Sequence, residues 1–114
     1  MTTHSDSKPD SIRFLASLDE LIRERMAARP ADSYVASLVA SGDKRLAQKL
    51  GEEAVELAIA VTAGDRDEQL GEAADLLFHM LVALNAKGVR LEHVSAVLEQ
   101  RHAKMVLQKS EETQ

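Results

Sequence analysis

In 114 residues, 45% are hydrophobic but only 3% aromatic, and nineteen acidic side chains outnumber fourteen Lys and Arg, for a net charge of −5. A chain of this size suits one compact domain. Its acidic balance argues against nucleic acid as a partner, and the absence of cysteine excludes disulfides and thiolate metal sites.

Leu, Val, Ile and Ala must therefore build the core, a composition that favours helices. A core this modest is commonly supplemented by oligomerisation. A phosphorylated small molecule is compatible with the charge if metal ions reverse the local field.

Residues 1–10 are polar, lack the apolar stretch of a signal peptide and are expected to form a disordered tail. No apolar run reaches the length of a membrane span, so a soluble, cytoplasmic protein is expected. One all-α domain is expected over residues 11–109, with residues 110–114 frayed. Within it Ile12, Leu15, Leu18, Ile22 and Met26 recur at helical spacing, with Pro30 beyond the end. Asp32 or Ser33 can cap a short second helix carrying Tyr34, Leu38 and Val39, stopped near Gly42.

The third helix is predicted from Asp43 to Gly64. Leu46, Leu50, Ala54, Leu57 and Val61 fall on one side of it, and Val55 and Ile59 on roughly the opposite side. Glu53 and Glu56 border the first face, with Glu52 further round. A helix apolar on two sides is expected to be sandwiched between partners, yet three carboxylates lie within five residues. Like charges at this spacing repel, and burial without a counter-charge is costlier still. Either these glutamates face solvent or they hold a cation.

The fourth helix is predicted over about Asp67 to Lys87, ending at Gly88. In EAADLLFHMLVAL nearly every residue is apolar except Glu72, Asp75 and His79, which spacings of three and four put on one stripe. So apolar a helix should be central, with its acidic stripe facing an internal cleft. The fifth helix is predicted to begin near Leu91, with Val94, Leu98 and Met105 on one face.

Packing the third and fourth helices together would set an E-x-x-E pair, Glu53 and Glu56, opposite an E-x-x-D pair, Glu72 and Asp75. Four carboxylates without a thiolate make a hard oxygen site suited to Mg²⁺ or Mn²⁺. The bland alternative is a solvated acidic face. A di-iron bundle would need two E-x-x-H pairs, and only Glu99 with His102 makes one. Lys44, Arg45 and Lys49 precede the glutamates by one or two turns. They read either as i,i+4 partners of Glu52, Glu53 and Glu56 or as phosphate contacts beside a metal cluster. His79 reads as a core histidine, as a partner behind the metal ligands or as a base contact. Tyr34, the single tyrosine, reads as a half-buried anchor.

SYVASL at 33–38, KLGEEAVE at 49–56, EAADLLFHMLVAL at 72–84 and LEQR at 98–101 resemble, in order and spacing, the phosphoribosyl-ATP pyrophosphohydrolases of the all-α, MazG-like nucleotide pyrophosphohydrolase superfamily. The resemblance implies a helical homodimer that hydrolyses the α–β phosphoanhydride of phosphoribosyl-ATP, a step of histidine biosynthesis. It implies Mg²⁺, with Mn²⁺ as a substitute, held by Glu53, Glu56, Glu72 and Asp75. Glu52 and Glu53 then serve catalysis, and Lys44, Arg45, Lys49 and His79 bind substrate. Val35 stands where the family pattern leads one to expect Thr. Members are often fused to phosphoribosyl-AMP cyclohydrolase, for which 114 residues leave no room, so the stand-alone form is expected. Two alternatives stay open: a house-cleaning NTP pyrophosphohydrolase with the same metal site, and a non-enzymatic helical dimerisation module.

Overall fold

The computed structural model describes the backbone of residues 3–112 and the side chains of residues 11–112. It is all-helical: α1 (Thr3–Ala28), α2 (Tyr34–Ala40), α3 (Asp43–Ala63), α4 (Arg66–Ala86) and α5 (Leu91–Glu112), with no strand among the described residues. At its two ends the chain is more helical than expected. The α1 backbone starts at Thr3, ahead of the expected boundary at residue 10, and α5 runs on to Glu112. Residues 1–2 and 113–114, and the side chains of the first ten, lie outside the described residues.

Each internal boundary has a local cause. Pro30 follows the close of α1, where Arg29 takes a φ of 49°. Ser33, not Asp32, caps α2 by accepting the Ala36 N–H at 3.2 Å. Gly42, at φ 98°, makes the turn into α3, a conformation that favours glycine. Asp65 and Glu68 form a reciprocal capping box at the start of α4, with bonds of 2.9 and 3.1 Å. At its end, Val89 N–H donates to the Leu84 carbonyl and Gly88 N–H to that of Asn85, a Schellman closure with Gly88 at φ 77°.

A turn at Gly64 and Asp65 folds α3 and α4 into an antiparallel hairpin, and Lys87 at the end of α4 pairs with Asp43 at the start of α3. α4 is central, touching α1, α2 and α3. The core joins Ile22, Val35, Leu38, Leu46, Leu81 and Val82. Burying a side chain of this size contributes about 1.5–3 kcal/mol.

The α3 face differs from the one expected. Ala54 and Val61 are exposed, Val61 at 64%. The buried line runs through Leu46, Glu53 and Ala60, with Leu50 and Leu57 half-buried between them. Alternating steps of four and three are the seam of a coiled helix pair, whose 3.5-residue period drifts away from a strict i+4 row. Glu53 therefore occupies a seam position facing α4 rather than its border.

Beneath α5 lies a polar anchor. Asp19, buried on α1, accepts hydrogen bonds from Asn85 Nδ2 of α4 (2.6 Å), Arg23 Nη1 (2.9 Å) and the backbone N–H of Leu91, the first residue of α5 (3.2 Å). A carboxylate at a helix N-terminus satisfies an otherwise orphaned donor and complements the helix dipole. Beyond its first turns α5 stands clear, and none of its described residues is buried. The radius of gyration is 17.5 Å, against about 13 Å for a compact domain of this length.

Candidate active site

Glu53 and Glu56 of α3 and Glu72 of α4 each bring a carboxylate oxygen within 4.8 Å of the other two. The hairpin explains the meeting: the Glu53 seam position turns it toward α4, where Glu72 answers it. Glu53 is only 5% exposed. Its Oε2 pairs with Lys49 Nζ at 3.2 Å, while its Oε1 is buried and receives no hydrogen bond. An orphaned buried carboxylate oxygen is costly unless a cation meets it. The three-oxygen donor set suits a hard divalent ion.

The field around the cluster is negative. The Glu72 carboxyl is held above its ordinary value, first by partial loss of water and then by Glu56, Asp75, Glu53 and Glu68. Lys49 is held above its own, chiefly through its hydrogen bond to Glu53 and the charge of that carboxylate. The Tyr34 hydroxyl and Glu52 add smaller contributions. A hollow of about 190 Å³, lined by Glu56, Glu68, Glu72, Ala60 and Gly64, opens on one side of the cluster. A shallower one of about 600 Å³ runs past Lys49, Gly51, Glu52, Glu53 and Glu56 on the other.

The remaining expected residues lie as follows. Asp75 is exposed one turn beyond Glu72 and stands outside the three-carboxylate group. Glu52 is exposed, and its Oε2 accepts from Gln48 Nε2 at 3.0 Å. Lys49 takes the i,i+4 pairing weighed in the sequence. Lys44 and Arg45 are exposed in the first turn of α3, and Arg45 lies eight residues, about 12 Å of helix, before Glu53.

His79 is buried with both ring nitrogens engaged. Its Nδ1 lies 2.7 Å from the Asp75 carbonyl, which can only accept, so Nδ1 carries the proton. In the neutral ring Nε2 is then an acceptor, and Tyr34 O–H donates to it at 2.9 Å. The imidazole also stands edge-on to Tyr34 and Phe78, at ring-centre distances of 5.7 and 5.3 Å. Tyr34, read from the sequence as a half-buried anchor, is 51% exposed. Sequence reasoning missed the His79 post that holds it. It also missed Asp19 with Asn85, for which the one signal was an amide in an otherwise apolar run.

An all-α hairpin that brings carboxylates from two facing helices to one point is a fold that could hold a metal ion between its helices. The family model for phosphoribosyl-ATP pyrophosphohydrolase matches residues 15–102, and the chain belongs to that family. It is 54% identical over 87 residues to a phosphoribosyl-ATP pyrophosphatase from Methylobacterium nodulans, covering 76% of this chain and 81% of that one. It is 49% identical over 89 residues to the histidine biosynthesis bifunctional protein HisIE of Vibrio cholerae and 51% identical to that of Escherichia coli K12, covering 78% of this chain in each case. The chain spans less than half the length of these two relatives, 42% and 44%.

Proposed function

We propose that the chain hydrolyses the α–β phosphoanhydride of phosphoribosyl-ATP to phosphoribosyl-AMP and pyrophosphate, in the cytoplasm and as a step of histidine biosynthesis. The observation that carries this reading is the Glu53–Glu56–Glu72 cluster with its orphaned buried oxygen, in a member of this family. Glu53, Glu56 and Glu72 would hold Mg²⁺, or Mn²⁺ in its place, with Asp75 as a fourth carboxylate from the same α4 stripe. The ion supplies Lewis-acid stabilisation of developing phosphoryl charge and lowers the pKa of water. Glu52, at the surface beside the cluster, orients the attacking water and takes its proton. Lys44 and Arg45 neutralise the polyphosphate as it enters along α3. Lys49 holds Glu53 in place through their ion pair, and His79 acts through Tyr34.

The protein works as a homodimer in this reading. Val97, Leu98, Met105, Val106 and Leu107 leave α5 with an apolar surface that its own chain does not cover, as do Val55 and Ile59 on α3. No described helix is long and apolar enough to cross a membrane.

The test is pyrophosphate release from phosphoribosyl-ATP with Mg²⁺ and with excess EDTA, using ATP as the control. Fast, EDTA-sensitive release from phosphoribosyl-ATP alone is the expected result. Release from ordinary nucleotides instead would make the chain a house-cleaning pyrophosphohydrolase. No release from either would leave a helical dimerisation module.

A further inference from the structure

A third hollow, of about 250 Å³, opens between the end of α1, the start of α2 and α4. Leu18 and Ile22 line its apolar side, the Tyr34 and Phe78 rings form a ledge, and Asp32 and Arg25 bring opposite charges to it. The two rings lie 6.3 Å apart and 24° from parallel. His79 braces both rings from within, and its bond to the Tyr34 hydroxyl fixes that ring while leaving it half exposed. A rigid, exposed aromatic face is what stacking on a flat ligand requires. Asp32 and Arg25 line the same hollow without pairing with each other. A carboxylate and a guanidinium left apart in one hollow suit a ligand that itself carries both charges.

The substrate named above has such a part. Its adenine is alkylated on N1 by phosphoribose, and alkylation there makes the amidine basic enough to be a cation at neutral pH. The added ribose carries a phosphate. The adenine of ATP has neither charge. The hollow adjoins the helix that carries Glu72, since Phe78 follows Glu72 by six residues, about 9 Å along α4. We propose that Tyr34, Phe78, Asp32 and Arg25 form the subsite that reads the N1-phosphoribosyl purine. The rings stack on the cationic base, Asp32 faces its positive edge and Arg25 meets the added phosphate. This rests on phosphoribosyl-ATP being the substrate, and assigns the discrimination against ATP to a place separate from the metal cluster.

Tyr34 is the only tyrosine in a chain without tryptophan, so intrinsic fluorescence reports on the ledge itself. The first experiment titrates N1-methyl-AMP and AMP in EDTA, using neither metal nor turnover. Quenching by N1-methyl-AMP at concentrations about tenfold below AMP is expected, with the difference lost in Asp32→Asn. Equal quenching by both, or by neither, overturns the proposal. The second compares kinetics on phosphoribosyl-ATP. Asp32→Asn and Arg25→Gln should each raise KM about tenfold with kcat little changed, as loss of uniform binding does. An unchanged KM in both variants overturns the proposal while the activity of the wild-type protein stands. Absence of turnover in the wild-type protein strikes the functional reading instead, and the fluorescence titration tells the two failures apart.

Discussion

Lys49 Nζ stands 3.2 Å from Glu53 Oε2, on a carboxylate whose other oxygen is buried without a donor. The lysine thus compensates one half of a buried charge and leaves the other half facing the cluster. Lys49→Met should lower the melting temperature of the metal-free protein, because Glu53 would lose the close positive neighbour that the described residues give it. Melts in EDTA of Lys49→Met, Glu53→Gln and the double variant measure the coupling. Additive effects would mean that the pair contributes nothing.

Removing a ligand should be far more damaging to chemistry than to structure. Glu53→Gln, Glu72→Gln and Asp75→Asn are each expected to cost about a hundredfold or more in pyrophosphate release, with helical circular dichroism retained. Asp75 is the sharpest case, since it stands outside the three-carboxylate group. Near-wild-type turnover in Asp75→Asn would remove it from the site.

The site should also answer to Mg²⁺ without any substrate. An ion that binds only the folded state stabilises it by about 2.7 kcal/mol at a hundred times its Kd, a rise of several degrees in Tm. Glu56→Ala should abolish that rise, and a rise that survives in this variant would place the ion elsewhere.

Glu72 should contribute a pH dependence to the metal-free protein. Its folded carboxyl lies above the ordinary value of 4.5 through loss of water and the carboxylates around it. In the window between 4.5 and that raised value the folded state binds more protons than the unfolded one. Stability therefore falls as pH rises through the window, and the destabilisation is fully present above it. Urea midpoints across this range in EDTA should show the decline, and Glu72→Gln should flatten it.

Asp19→Ala removes the acceptor shared by Asn85, Arg23 and the Leu91 N–H. A loss of about 2–4 kcal/mol is expected from urea unfolding, with faster hydrogen exchange at the start of α5. If only the exchange changes, the network orients α5 without supporting the core.

Exposed apolar residues on α5 give the assembly its test. Met105→Glu and Leu98→Glu should shift the sedimenting species from dimer to monomer, since a charge in an apolar contact must be desolvated without a partner. A monomer in the wild-type protein at micromolar concentration would refute the homodimer.

The sequence carried most of the fold because its punctuation is local: Pro30, Ser33, Gly42, Gly64 and Gly88 stop or start helices through their own backbone chemistry. Glu53, Glu56 and Glu72 were legible as a set because acids at three- and four-residue spacing stand out in apolar helices. Seam register was less so. Whether Glu53 or Ala54 turns inward depends on how α3 coils around α4, a tertiary property that a straight-helix wheel leaves out. The roles of Tyr34 and Asp19 were hidden for a related reason. Each is defined by partners 45 and 66 positions away, His79 and Asn85, and no local pattern encodes them.

A helix that the described residues of its own chain hold mainly at its base behaves as a lever. At 22 residues, α5 is about 33 Å long, so a tilt of about 10° at its foot sweeps the far end through about 6 Å. The pivot is the bond from the Leu91 amide to Asp19. Anything gripping the tip of α5 can thus pull on the Asp19–Asn85 link, and through Asn85 on α4, the helix that also carries Glu72.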